Sequence, residues 1–249
     1  RVLFRSHMPR CEICGDRLTH AVMIDGHAYC RKHAEGPKCS KCGLPFRDAR
    51  ELDDGRRICR RCDHGLIYTP DDARPHYRRA LDELAAFSGY QTPTLPYLLL
   101  VGVDRLREET GGTMRRGVRQ RGLYRRTTTV TSKKDRWGRV REKTENVSER
   151  VYIPYGLDRQ EFLATAVHEL MHDQIAERFP KLSKEAPVWV EEGICQYVSA
   201  AVCIRHGYGK PLQSIRSNPD PDYGDGYRYF QRRLGGDGKW KQLLHWMQH

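Results

Sequence analysis

The sequence predicts an α+β protein in two parts: a small N-terminal module folded around paired zinc knuckles, and a larger domain with a small mixed sheet and two helices that carry a metal site. Three observations predict it. Seven of the nine cysteines fall before residue 63, in Cys-x2-Cys or Cys-x2-His pairs. His168-Glu-Leu-Met-His172 places two imidazoles one helical turn apart on one face. Glu192 follows twenty residues after His172, inside Trp189-Val-Glu-Glu-Gly193, where a second helix is expected.

Composition bounds the rest. Of 249 residues, 38% are hydrophobic and 31% charged, enough for one modest core plus a small stapled module. Lys and Arg total 44 against 32 acidic residues, a formal charge of +12 that favours acidic partners or polyanions. The basic residues are interspersed, with one local run at Arg115, Arg116, Arg119, Arg121, Arg125 and Arg126. It reads as a solvated face rather than a nucleic-acid site. No stretch approaches the ~18 apolar residues of a membrane span. Arg1 to Met8 does not read as a signal peptide, and Ser6-His7-Met8 resembles an expression-vector remnant. A cytoplasmic protein with this many cysteines uses them on metal rather than in disulfides.

The N-terminal module is expected over residues 9–66. Cys11-x2-Cys14 pairs with Cys30-x2-His33 or with His27-x2-Cys30, and Cys39-x2-Cys42 pairs with Cys59-x2-Cys62. About fifteen residues separate the halves of each set, a structural-zinc spacing. With four protein ligands such sites are closed to chemistry. A segment of ~55 residues this poor in large apolar side chains needs those staples to fold.

A linking segment is expected over residues 67–94. Thr69-Pro-Asp-Asp72 starts a helix, and Tyr77, Leu81, Leu84 and Phe87 give it helical periodicity to residue 88. The remaining domain, 95–249, opens with a buried strand at Leu95 to Val103 and a short helix at Asp104 to Thr110 closed by Gly111-Gly112. Residues 123–155 read as strands, with β-branched Thr127 to Thr131 and a turn at Arg136-Trp-Gly138.

Asp158 and Glu161 have capping-box spacing before an apolar run of Leu163, Ala166, Val167, Leu170, Met171 and Ile175, and Phe179-Pro180 ends that helix. The next helix begins near Pro187 and stops at His206-Gly207, with Val188, Ile194, Tyr197, Val198 and Val202 as its apolar face. Cys195 and Cys203 lie within it as buried structural cysteines. Two surface histidines on a half-buried helix would explain neither the apolar run nor the second motif. Burying imidazoles beside a carboxylate costs free energy unless they are paired or metal-bound. His168, His172 and a glutamate of the second helix therefore read as three zinc ligands with the fourth position open, and Glu169 as the carboxylate that takes a proton from water.

Trp189-Val-Glu-Glu-Gly-Ile-Cys-Gln-Tyr197 resembles the Trp-Leu-Asn-Glu-Gly-Phe-Ala-Glu-Tyr segment of aminopeptidase-N-like zinc peptidases. By that resemblance Glu192 is the third ligand and Glu191 a neighbour, substrate contact or solvated charge. Gln196 replaces a glutamate that would orient a ligand histidine. Asp25-Gly-His-Ala-Tyr-Cys30-Arg-Lys-His33 looks like the closing knuckle of LIM domains, which favours His33 over His27. The whole resembles the plant LIM-domain peptidases that restrict organ and seed size. The match rests on Tyr29-Cys-Arg-Lys-His33, Asp53 to Cys62, Leu98 to Val101, Arg121-Gly122-Leu123, the two metal-helix motifs and Tyr223-Gly-Asp-Gly-Tyr-Arg228.

That resemblance implies a zincin-like (gluzincin) metallopeptidase domain behind a LIM-like double zinc-finger module. It implies three zinc ions, one catalytic and two structural. It also implies protein substrates, a protein partner at the LIM-like module, and ubiquitin as activator, although no acidic ubiquitin-interacting helix precedes the first cysteine here. Val151 to Tyr155, with Pro154 as an edge marker, is expected to be the edge strand on which an extended substrate adds. A second donor for the developing oxyanion is expected among Tyr223, Tyr227, Arg228 and His206, the first three on a flexible loop. Two rivals are a DNA-associated protease of the SprT type, which takes a third histidine soon after the second, and a non-catalytic LIM-like scaffold. No membrane or nucleic-acid partner is expected.

Overall fold

Two hairpin-and-helix repeats carry the cysteines of the first part of the chain. In the computed structural model, which describes residues 8–111, 121–137 and 139–248, the chain divides into two units, Arg1–Leu66 and Ile67–His249. In the first unit, β1 (Val22–Ile24) and β2 (His27–Tyr29) form an antiparallel hairpin that leads into α1 (Arg31–Ala34). The pattern repeats as β3 (Ala49–Glu51), β4 (Arg57–Cys59) and α2 (Arg60–Asp63). Each opening knuckle closes in the same way: the N–H of Gly15 donates to the Cys11 carbonyl and that of Gly43 to the Cys39 carbonyl, both at 2.8 Å. These glycines sit at φ of 77° and 73°, a turn that L side chains rarely adopt. One apolar cluster gathers no more than Cys11, Ile13, Leu18, Tyr29 and Ala34 as its buried members.

A short strand β5 (Leu66–Ile67) falls at the boundary, and the second unit continues with α3 (Pro70–Ser88), opened by a Thr69–Asp72 capping box and closed by Gly89 in the left-handed conformation. The helix expected as a connector buries Ala73, Tyr77, Ala80, Leu84 and Phe87 in the same core as the metal-bearing helices. β6 (Tyr97–Val101) is shorter than the expected strand and only half-buried, and α4 (Val103–Glu109) follows it. β7 (Leu123–Lys134) and β8 (Val140–Pro154) form a long hairpin. β6 runs parallel to β8, so the sheet is mixed and its order is β6–β8–β7.

That order corrects one expectation. Val151 to Pro154 lies in the central strand, with Tyr152 paired to Leu99 on one side and Leu123 on the other. Pro154 is tolerated because it occupies the last pair, opposite Val101, and the ladder resumes through the Tyr155 N–H. Among the described residues the edge strands are β6, which packs on α3, and β7, which packs on α5.

After β9 (Leu157–Asp158) come α5 (Arg159–Arg178), α6 (Pro180–Glu185) and α7 (Val188–His206). Asp158 and Glu161 complete the predicted capping box, Phe179 ends α5, and Gly207 ends α7 in the left-handed conformation. All six predicted apolar positions of α5 are buried, as are those of α7 except Val188. Val188 is 64% exposed because it opens the helix before the chain reaches the core. α8 (Gly209–Arg216), a π-helical turn at Pro221–Asp225 and α9 (Gly226–Arg233) pack on α7, and α10 (Trp240–Gln248) sets Trp240 against Phe87 and Trp246 against Phe230. The stretch expected as a flexible loop, Tyr223 to Arg228, is therefore helical: the Asp220 carboxylate accepts from the N–H groups of Asp222 and Tyr223 and caps the turn.

Of the basic run, Arg115, Arg116 and Arg119 lie outside the described residues, as do Ser6, His7, Gly112 and Gly138. Its other members are engaged rather than merely solvated: Arg121 donates to Ser214, Arg125 pairs with Glu109, and Arg126 with Glu149 at 3.0 Å. Among the described residues no helix is long and apolar enough to cross a membrane.

Candidate metal centre

Helical spacing on α5 and the first turns of α7 bring three donors together. His168 Nε2 lies 3.0 Å, and His172 Nε2 3.5 Å, from Glu192 Oε2. Donors of a tetrahedral zinc at its usual bond lengths stand about 3.4 Å apart, so the set fits the ion. No fourth side chain joins this cluster among the described residues. His168 and Glu192 are largely buried, in a setting where unpaired charge is costly. Burial alone would raise the Glu192 carboxyl, but His172 and hydrogen bonds from both imidazoles hold it well below the usual range.

With Nε2 turned to the metal position, the proton sits on Nδ1. For His172 it is donated to Glu191 Oε1 at 2.8 Å. Glu191, expected as a neighbour, a substrate contact or a solvated charge, therefore fixes the orientation of the His172 ring. Cys195 lies against the same imidazole, and burial pushes its thiol up to about 12, so it stays protonated. His168 Nδ1 is buried without a partner among the described residues, consistent with a glutamine at position 196 in place of an orienting carboxylate.

Glu169 faces the same cavity as His168, with Arg121, Gln196 and Tyr223 also in its lining. Burial raises its carboxyl above the ordinary value, Glu192 adds to this, and His168 and His172 oppose it. The Tyr124 main-chain N–H faces that carboxylate from the start of β7 and slightly favours its ionised form. Gly122 makes the approach feasible: a Cβ there would stand 2.5 Å from Glu169 Oε1.

Tyr223 stacks on His168 with ring centroids 5.9 Å apart, and its hydroxyl faces Glu192. Burial, followed by Glu192 and Glu169, keeps that hydroxyl protonated. Two glycines put it there. A Cβ on Gly226 would meet the Trp189 carbonyl at 2.5 Å, and one on Gly193 would meet the Gly226 backbone at 2.7 Å, so the turn bearing Tyr223 can seat directly on α7. The other expected donors are elsewhere. The Tyr227 hydroxyl donates to Asp237 Oδ1 at 2.9 Å and accepts from Arg216, and the ring is buried. Arg228 donates to the Asn218 carbonyl and to Asp225, which ties the turn together. His206, at the far end of α7, pairs with Glu83 at 2.6 Å.

The sequence offered no signal for Tyr124, a strand residue 44 positions before His168; Gly122 was singled out only within Arg121-Gly122-Leu123, and the doubled glutamate was the available signal for the role of Glu191.

In the first unit the donor atoms of Cys11, Cys14, Cys30 and His33 gather in one cluster and those of Cys39, Cys42, Cys59 and Cys62 in another. His33 Nδ1 lies 3.1 Å from Cys30 Sγ and 3.4 Å from Cys11 Sγ, whereas His27 Nδ1 turns to Glu12. Burial opposes thiolate formation there, yet backbone hydrogen bonds aimed at sulfur bring Cys11 down to about 6 and Cys39 to about 7. Every cysteine is free of disulfide. Both clusters are four-donor sets of the structural-zinc type.

Comparison with known proteins finds weak similarity over most of the chain. Protein DA1 of Arabidopsis thaliana is 25% identical over 300 aligned residues, covering 95% of this chain and 55% of that protein. Protein DA1-related 1 of the same plant is 26% identical over 226 residues, covering 78% of this chain and 40% of that protein. The DNA repair protein RecO of Pelobacter propionicus is 34% identical over 85 residues, but these cover 24% of this chain. No family model and no solved structure matches. The chain spans about half the length of the DA1-type proteins it matches, and its similarity to them extends across both the zinc-knuckle unit and the metal-helix unit.

Proposed function

We propose that this chain is a zinc-dependent endopeptidase of gluzincin type that cleaves protein substrates, with a LIM-like module that recruits a protein partner or substrate. The observation that carries the reading is the convergence of His168, His172 and Glu192 beside a buried carboxylate, Glu169, that faces the same cavity. Zinc bound there supplies a Lewis acid and makes a water easier to deprotonate. Glu169 accepts that proton and delivers it to the leaving amine. Its raised proton affinity suits both tasks, since the same group must act as base and then as acid. Tyr223, protonated and adjacent to His168, donates to the carbonyl oxygen as negative charge grows. Glu191 holds His172 in the tautomer that leaves Nε2 free.

The substrate backbone is aligned by the free edge of β7 near Leu123, whose neighbour Tyr124 already reaches Glu169; strand addition satisfies a peptide with little sequence preference. A reduced, cytoplasmic setting agrees with nine unpaired cysteines. The SprT-type reading lacks its third histidine, because His206 is held by Glu83. The test is Glu169→Gln in the full chain, assayed on an unfolded protein substrate: it retains zinc and loses cleavage, and a variant with undiminished turnover overturns the assignment.

A further inference from the structure

One residue beyond His172, α5 turns a carboxylate into the interior that the peptide chemistry does not use. Asp173 is fully buried; Thr92 and Tyr124 lie against its carboxylate, and its Oδ2 has no hydrogen-bond partner among the described residues. Glu177 one turn further on, and Glu149 from β8, bring ligand oxygens to within 4.8 Å of it and of each other. Around them stand oxygen and nitrogen donors. The Tyr124 hydroxyl lies 3.1 Å from Asp173 Oδ1 and 3.2 Å from Glu149 Oε1, and its single proton can serve one of them at a time. Tyr90 donates to Glu177 Oε2 at 2.9 Å, and Arg126 pairs with Glu149 at 3.0 Å. Arg178, the next residue on α5, lies over the Tyr90 ring. Three carboxylates crowd a partly desolvated place, and burial, then Glu149 and Glu177, push the Asp173 carboxyl up to about 7, a costly arrangement that a cation relieves.

We propose that Glu149, Asp173 and Glu177 bind a hard divalent cation of calcium size. An all-oxygen donor set selects calcium-class ions over zinc, which the nitrogen and sulfur sites elsewhere take. Ligands on opposite sides of calcium stand about 4.8 Å apart at its usual bond lengths, which matches the span of this cluster. Such an ion offsets the repulsion among the three carboxylates, and it gives Asp173 Oδ2 a partner.

The site is joined to the zinc centre through Tyr124. The Tyr124 ring stacks on His172 with centroids 6.5 Å apart and planes 7° from parallel, and its main-chain N–H faces Glu169. An ion that fixes the Tyr124 hydroxyl therefore stiffens the support of both a zinc ligand and the proposed base. The binding claim itself does not depend on the peptidase reading.

The zinc-loaded full chain is titrated with terbium while tyrosine is excited. Tyr90 and Tyr124 touch the carboxylates, so a terbium ion in the cluster emits by transfer from them. The expected result is saturable emission displaced by calcium, with affinity reduced at least about tenfold in Glu177→Gln and in Glu149→Gln. Calcium also raises the unfolding temperature of the unaltered chain and not that of Glu177→Gln, a change at a half-buried position that spares the core if Asp173→Asn fails to fold. Emission that calcium does not displace, or that both glutamine variants retain in full, overturns the proposal.

Discussion

The cysteine knuckles and the helix-borne centre use similar ligand chemistry under opposite structural conditions. Each knuckle has four donors and little apolar support: the cluster of Cys11, Ile13, Leu18, Tyr29 and Ala34 is too small to hold such a unit together without metal. The centre of His168, His172 and Glu192 has three donors, and α5 and α7 are packed from Phe162 to Ile175 and from Val190 to Cys203 whether or not a metal binds. A metal that supplies folding energy needs a complete shell, whereas one that does chemistry needs an incomplete shell held by something else. In this chain the second unit provides that rigid frame.

The largest expected effect separates the two. Complete chelation of the full chain should unfold the first unit, with amide protons of residues 9–66 exchanging at solvent-limited rates, while α5 and α7 keep protection. Equal loss of protection in both units would break the contrast.

A smaller effect probes how the frame places the base. Gly122→Ala inserts a Cβ 2.5 Å from Glu169 Oε1, so the carboxylate must move. A displacement of that kind costs roughly 10²-fold in kcat, with zinc content unchanged. Retained kcat would show that the β7 start does not position Glu169.

Smaller again is the loss of an orienting hydrogen bond. Glu191→Gln leaves His172 Nδ1 with a weaker acceptor and should lower zinc affinity at the catalytic centre by about 10- to 100-fold, measured by competition with a chelator, without touching the knuckle sites. The least disruptive pair is Tyr223→Phe against Tyr227→Phe. The first should lower kcat with little change in unfolding temperature. The second should destabilise by about 1 kcal/mol through its lost bond to Asp237 and leave kcat unaffected. The reverse pattern would move the oxyanion donor to the wrong tyrosine.

Much of this was legible in the chain, and the reason is local. Thr69 with Asp72 and Asp158 with Glu161 are within one turn of each other, so their capping boxes are written in short spacings. The His168–His172 pair and the cysteine pairs of the candidate metal clusters likewise fall at helix or knuckle spacing, whereas Glu192 comes from a second helix. Strand order is different. Nothing near Val151 says that Tyr97–Val101 will return to cover it, and Pro154 gave the wrong signal because a strand's last pair tolerates proline as an edge does. Tyr223 and Tyr227 are four residues apart and chemically alike, and only the seating of Gly226 on Gly193 decides which of them meets His168. Glu191 and Glu192 are adjacent, and the helix phase turns one to Nδ1 of His172 and the other to Nε2 of both histidines.

The central claim is an open three-donor zinc site on two packed helices. Zinc per chain, determined by mass spectrometry alongside peptide-bond cleavage, tests it most directly in the unaltered protein and in His172→Ala. The account predicts three ions and cleavage in the first, and two ions, no cleavage and an intact second unit in the second. Two ions in the unaltered protein, or cleavage that survives His172→Ala, would contradict it.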